Sequence, residues 1–154
     1  MLTINEYRKV ESLEEAYELN QKKNNKIIAG GVWMKIGDRR IATAIDLSGL
    51  GLDQITETDT EFVIGAMTTL REIEKHAGLA AYTDGAIRES VRHIVGVQFR
   101  NCATVGGSIF GRFGFSDVLT VFLAMDTQVE LYHAGMISLK EFIDMPYDND
   151  ILVA

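Results

Sequence analysis

A single cysteine, Cys102, stands in the 154-residue chain. One thiol excludes an internal disulfide and a cysteine-ligated iron–sulfur cluster held by this chain alone, and a reducing cytoplasm is the compartment it suggests. Proline is equally scarce, with Pro146 the one example. No apolar run approaches the ~20 residues needed to span a bilayer, and the polar, early-acidic start MLTINEYRKVES is not a secretory leader. Positive charge is in deficit. The 15 Lys and Arg against 22 Asp and Glu leave a net charge of -7, which argues against nucleic acid or an anionic membrane as the partner. Catalytic signatures are missing too. His76, His93 and His133 lack zinc-ligand spacing, and Ser108 lies in Gly-Ser-Ile rather than in a nucleophile elbow. Neither a Walker A loop nor G-x-G-x-x-G is present. Glu14-Glu15 fits a solvated helix face, and Cys102 reads as a buried, inert thiol.

What is present is a globular composition, 47% apolar and 24% charged. At this length a chain buries roughly two thirds of its unfolded surface, enough for a core. Ser12 and Glu15 have capping-box spacing and predict a helix over 12–24. Ile27-Ile28-Ala29 reads as a strand running into Gly30-Gly31. Val32 to Ile36 reads as a short helix or loop, and Ile41 to Leu47 as a second strand. Gln54–Glu57 and Glu61–Gly65 predict a hairpin around Thr58-Asp59-Thr60. Thr69 and Glu72 predict a capped helix over 70–77, stopped by Gly78. A longer helix is expected over 84–95, its face made by Ile87, Val91 and Ile94. An extended segment is expected over 99–104, a turn at Gly106-Gly107, and a helix from Ser116-Asp117 through Ala124. Strands are expected at Gln128–Tyr132 and from Ile151 to Val153. The stop at Ala154, inside an apolar run, reads as a fragment or a subunit without its C-terminal part.

Four of the 14 glycines come as two pairs after apolar segments. Ile28-Ala29-Gly30-Gly31-Val32-Trp33-Met34-Lys35 is the first, and Asn101-Cys102-Ala103-Thr104-Val105-Gly106-Gly107-Ser108-Ile109 is the second. Each is ordinary loop glycine or a nest of backbone N–H groups that holds an anion. Two facing nests suit the diphosphate of a dinucleotide, with Thr104 and Ser108 adding hydroxyls and Lys35 adding charge. Asp117 either accepts from sugar hydroxyls or complements its helix dipole, which is worth ~0.3–1 kcal/mol. Trp33 reads as a half-buried core residue.

These segments resemble the FAD-binding domain of the molybdenum hydroxylases, the medium flavoprotein subunit of the xanthine dehydrogenase and carbon monoxide dehydrogenase type. The resemblance rests on Ala29-Gly30-Gly31, Ile64-Gly65-Ala66-Met67-Thr68-Thr69-Leu70, Asn101-x-Ala103-Thr104-Val105-Gly106-Gly107-Ser108-Ile109, Ser116-Asp117 and Leu123-Ala124-Met125-Asp126. It implies an α+β fold similar to the vanillyl-alcohol oxidase type. A small α/β lobe would span 1–54, and a larger lobe with a mixed or antiparallel sheet and helices would span 55–154, with FAD between them. The resemblance places Ala29, Gly30, Gly31, Val32, Trp33, Met34 and Lys35, with Thr104, Gly106, Gly107 and Ser108, on the phosphates. It places Asp117 at the sugar, Ile94 and Val95 near the flavin ring, and Ile109 beside the second turn. Val32 and Trp33 replace a small hydroxyl residue and an acid, Ser108 replaces an asparagine, and Arg112-Phe113-Gly114-Phe115 replaces a small, proline-containing segment. The family's further C-terminal domain has no counterpart after Ala154.

The implied function is electron transfer in an FAD-dependent oxidoreductase subunit of a molybdopterin dehydrogenase, inactive in hydroxylation by itself. Electrons would come from an iron–sulfur subunit fed by a molybdopterin subunit, and would pass through FAD to NAD or another acceptor. No catalytic residue and no metal ligand is expected in this chain. The alternative is a truncated scaffold or interaction module that no longer holds flavin; a third reading is a site for a different dinucleotide such as NAD.

Overall fold

The computed structural model describes residues 1–154. Its first sheet is parallel. Strands β1 (Thr3–Lys9) and β2 (Lys26–Ile28) flank β3 (Arg40–Asp46), which pairs with both. β3 carries the buried Ile41, Ala44 and Ile45, as a central strand covered on both faces should. β1 is exposed along its whole length and shows no apolar alternation, so its sequence carries no strand signal. Helix α1 (Leu13–Asn20) begins at Ser12, whose hydroxyl accepts from the Glu15 N–H. The Glu15 carboxylate turns instead to Glu11 N–H and Arg8. Val10, Ala16, Ile45, Leu47 and Ile151 form one small core cluster around this sheet.

The hairpin is made by β4 (Ile55–Glu57) and β5 (Phe62–Ile64). A run of short helices follows: α2 (Leu70–Lys75), α3 (Ala77–Tyr82), α4 (Ala86–Arg92), α5 (Val97–Arg100), α6 (Val105–Phe110) and α7 (Asp117–Leu123). The antiparallel pair β6 (Gln128–Leu131) and β7 (Gly135–Ser138) then leads into α8 (Leu139–Asp144). A cluster of 17 buried residues runs through these elements, with Leu70, Ile87, Val91, Val118, Val129 and Phe142 among them. Leu152 bridges to Leu131, and Ala66 N–H donates to the Val153 carbonyl, so the last residues join both clusters.

Three expectations are corrected. Gly78 does not stop a helix. The chain turns at His76, whose Nδ1 accepts from Leu79 N–H and starts α3, placing Gly78 inside it. Residues 99–104 are not extended, because α5 occupies Val97–Arg100 and the chain then closes through Cys102 and Ala103 N–H bonds to the Phe99 carbonyl. The second glycine pair lies within α6, which Thr104 caps through its hydroxyl and the Gly107 N–H.

One ion network sits below this surface. Arg100 Nε donates to Glu74 Oε2 at 2.8 Å, and Arg71 reaches Glu74 Oε1 at 2.8 Å; the Arg100 and Glu74 side chains are 6% and 9% exposed. Burial raises the Glu74 carboxyl, but the hydrogen bonds from Arg100 and Arg71 outweigh it and hold the group below its ordinary 4.5. A depressed carboxylate contributes stability above its unfolded value and loses it as acid protonates the folded form. Glu74→Gln should therefore destabilise the fold at pH 7 by ~1–3 kcal/mol, the cost of leaving buried donors without their charged acceptor. The difference from wild type should shrink below pH 4. Thermal melts at both pH values measure it, and an equal difference at both would remove the charge from the account.

Candidate functional site

The first glycine turn leaves the sheet where β2 ends, at Ile28 paired with Asp46. Gly31 then adopts φ +65°, a left-handed value that glycine takes without a Cβ penalty. Trp33 leads into a short 3-10 turn, Met34–Ile36, and Lys35 N–H closes back on the Gly31 carbonyl at 3.0 Å. None of the backbone N–H groups of Ala29, Gly30, Gly31, Val32, Trp33 and Met34 has an acceptor within the chain. Most of these residues are half-buried. A run of unpaired donors in a left-handed turn is an anion-binding concavity. The Lys35 stem folds over it, with Cε 3.9 Å from the position a Gly31 Cβ would take.

The second turn faces the first across a backbone contact. A Cβ at Gly30 would lie 1.7 Å from the Cys102 carbonyl oxygen, so only a hydrogen fits there. Thr104 bridges Thr69, with Leu70 N–H on the Ala103 carbonyl and Val105 N–H on the Thr68 carbonyl, both at 2.9 Å. Gly106 N–H donates to the Ala66 carbonyl, and a Cβ at Gly106 would meet that oxygen at 2.5 Å. The expectation that both turns offer amides is thus met unequally. At the second turn the Val105, Gly106 and Gly107 amides serve the fold, and Thr104 N–H is left without an acceptor. Gly107 itself is exposed, and a Cβ there would meet only Thr104 Oγ1, at 3.1 Å. Ser108 donates its hydroxyl to the Thr104 carbonyl at 2.9 Å.

The remaining residues are spread around this pair of turns. Ile109 is turned into the core. Asp117 is exposed in the first turn of α7 and makes no ion pair. Ser116, its cap residue, also donates to the Ser108 carbonyl at 3.4 Å and so ties α7 to the second turn. Ile94 packs on the core, while Val95 stands 78% exposed at φ +49°. Arg100 Nη1 holds the Ile94 carbonyl at 3.1 Å, linking this bend to Glu74. Cys102, expected to be buried, is exposed, because its carbonyl rather than its thiol fills the space at Gly30. Trp33, expected as a half-buried core residue, is 54% exposed and packs on Phe113 and Phe115. No group of His, Cys, Asp and Glu is placed to hold a metal ion.

Residues 3–153 match the family described as the FAD binding domain in molybdopterin dehydrogenase. The chain belongs to that family, and FAD is the cofactor the match indicates. The Escherichia coli (strain K12) protein YgfM, itself uncharacterized, is 28% identical over 95% of this chain and 56% of its own length. Carbon monoxide dehydrogenase from Hydrogenophaga pseudoflava superposes with a TM-score of 0.86 at 24% identity, over 96% of this chain and 56% of that one. Quinoline 2-oxidoreductase from Pseudomonas putida 86 gives 0.84 at 19%, over 96% and 56%. These likenesses to solved structures establish a shared mixed α+β fold, and the chain spans little more than half the length of the relatives it matches. The residues fit a diphosphate-bearing cofactor: unpaired amides line one turn, the Lys35 stem lies beside Gly31, and Gly107 on the second turn is exposed with no side chain.

The two turns make separate demands on glycine. Gly30→Ala should lower the melting temperature, costing ~1–3 kcal/mol or more, because its Cβ meets rigid backbone rather than a flexible side chain. Gly107→Ala should melt within a degree or two of wild type. Circular dichroism melts of both variants test this, and a harmless Gly30→Ala would dissolve the contact between the turns.

Proposed function

We propose that this chain is the FAD-holding part of an electron-transfer flavoprotein, and that the FAD diphosphate lies on the free amides of Ala29 to Met34. The observation that carries this reading is the unbroken run of unsatisfied N–H groups from Ala29 to Met34 on the turn that meets Cys102 through Gly30. Lys35 supplies positive charge over the turn, Thr104 N–H is the remaining donor on the facing side, and Ser108 closes that side. The Asp117 carboxylate accepts from sugar hydroxyls, and Ile94 and Val95 border the flavin ring. In this reading residues 1–54 form a small lobe and 55–154 a larger one, in the manner of vanillyl-alcohol oxidase, with the cofactor between them.

Bound FAD supplies redox chemistry that no side chain here can supply. The chain's own part is to hold the diphosphate by backbone dipoles that need no reorganisation, to orient the sugar and to shape the ring's surroundings. No acid–base pair is required for that task. The electron donor in this reading is an iron–sulfur subunit of a xanthine dehydrogenase-like assembly that also contains a molybdopterin subunit. NAD or another acceptor takes the electrons onward, and the setting is the cytoplasm.

The direct test is colour. The purified chain, or the chain after addition of FAD and removal of excess, should show flavin absorbance bands, and denaturation should release FAD. A preparation that stays colourless supports the scaffold reading instead. Gly107→Val should fold yet lose FAD, since its side chain takes the space of the diphosphate. Asp117→Ala should weaken binding by ~1–3 kcal/mol through loss of a charge-assisted hydrogen bond. A lower melting temperature at unchanged affinity would assign that carboxylate to the helix dipole.

A further inference from the structure

We propose that Arg100 is a positioning residue for the cofactor. It grips Glu74 with one edge of its guanidinium and the Ile94 carbonyl with another, and so holds the first glycine turn in place through Cys102. The inference rests on the FAD reading above and adds to it a side chain outside the site that sets the site's geometry.

Arg100 is the last residue of α5, a helix of four residues, and the one buried residue in it. A single helical turn does not hold itself in water, so its place comes from this anchor. Arg100 Nε donates to Glu74 Oε2 at 2.8 Å, Nη2 reaches Oε1 at 3.4 Å, and Nη1 donates to the Ile94 carbonyl at 3.1 Å. Glu74 lies on α2. The same helix holds this stretch a second time, because the Leu70 N–H donates to the Ala103 carbonyl at 2.9 Å. A guanidinium spreads its donors over three nitrogens that face different ways, whereas lysine has one. Arg100 can therefore serve the carboxylate and the carbonyl together.

Two backbone contacts carry the effect to the site. Val95 follows Ile94 and is held at φ +49°, a region that a β-branched residue avoids. Released, this bend relaxes toward ordinary angles and takes Gly96 and Val97, the start of α5, with it. At the other end, the Cys102 and Ala103 N–H groups close on the Phe99 carbonyl at 3.0 and 2.8 Å. That closure sets the Cys102 carbonyl against Gly30, where a Cβ would come within 1.7 Å of the oxygen. Main chains in such contact have no slack. A shift of α5 displaces Gly30 and, with it, the amides from Ala29 to Met34 that have no acceptor in the chain.

The test separates position from stability. In Glu74→Leu/Arg100→Met the buried ion pair gives way to apolar side chains, a change that proteins often tolerate. Its melting temperature should stay within a few degrees of wild type. FAD affinity, titrated by flavin fluorescence well below the melt, should fall about tenfold, within the range that residues remote from a ligand exert on its binding. Arg100→Lys keeps a charge beside Glu74 and loses the hold on Ile94. It should fold and should also bind FAD several-fold more weakly. Proton–nitrogen correlation spectra recorded without FAD supply a readout that needs no cofactor. The Gly30 and Gly31 amide peaks should shift in both variants, while those of β6 and β7 stay in place. Wild-type FAD affinity in Arg100→Lys, or unmoved Gly30 and Gly31 peaks, would reduce Arg100 to a part of the core and overturn the proposal. Should the double variant fail to fold, Arg100→Lys decides alone. If the wild-type chain binds no FAD while the glycine peaks do shift, the FAD reading falls and the coupling from Arg100 to the turn stands.

Discussion

The site depends on the approach of two pieces of backbone, Gly30 and the Cys102 carbonyl, at a separation that leaves room for a hydrogen and nothing larger. Each side is fixed by its own scaffold. Behind Gly30 stands β2, registered on the central β3. Behind Cys102 stands α5, closed by the bonds to Phe99, and the bridge from Thr104 to Thr69. Because the contact is between main chains, it does not depend on a rotamer, and the interior on either side is dense enough to transmit the position of one turn to the other. The relative position of the two turns is then a consequence of how the two scaffolds meet.

The two turns look alike in sequence and act differently. In the first, glycine serves conformation: Gly31 takes φ +65°, and the chain around it leaves its donors unspent. In the second, glycine serves proximity. Gly106 lets α6 press against Ala66, and the amides there are committed to the Ala66 and Thr68 carbonyls. The second turn is therefore a wall that brings backbone close, with a bare Gly107 on its outer face. In the proposed reading, a diphosphate would take its hydrogen bonds mainly from the first turn and its clearance from the second. Electrostatics follow the same division, since Lys35 lies on the donor side in a chain that is otherwise acidic.

Much of the local structure was legible from residues with strong local rules. The Thr69–Glu72 capping box, the Ser116 cap, the hairpin around Thr58 and the buried Ile41–Ile45 strand all appear where spacing places them. The misses have physical reasons. β1 is exposed on every residue and exists because β3 offers it a ladder, so no pattern marks it. The pair Gly106-Gly107 has poor helix propensity, and tertiary packing on Ala66 together with the Thr104 cap overrides that preference. Trp33 reads from sequence as half-buried core, while its partners Phe113 and Phe115 lie in a segment whose path no local signal gives. Their meeting is set by Arg112, whose inward turn rests on rings from residues 142 and 147. Which amides would be free was beyond sequence reasoning altogether, because it depends on carbonyls at Ala66 and Thr68 claiming those of the second turn.

Strain is placed in the same way. Four residues other than glycine have positive φ: Asn24, Asp84, Val95 and Arg112. Asn and Asp enter that region at small cost, whereas a β-branched or long side chain held there costs ~1–3 kcal/mol. Of the two costly cases, Arg112 borders the second turn and Val95 stands in the bend assigned to the flavin ring. Both bends are fixed through a guanidinium: buried Arg100 holds the Ile94 carbonyl before Val95, and Arg112 itself rests on Phe142 and Tyr147 and donates to the Met145 carbonyl. The arrangement is economical in one sense. A guanidinium has enough donors to satisfy an ion pair or an aromatic box and still fix a carbonyl, so one side chain both joins the core and sets the angle of an exposed bend. The exposed bends at Val95 and Arg112 are thereby oriented by guanidinium groups that also anchor in their surroundings.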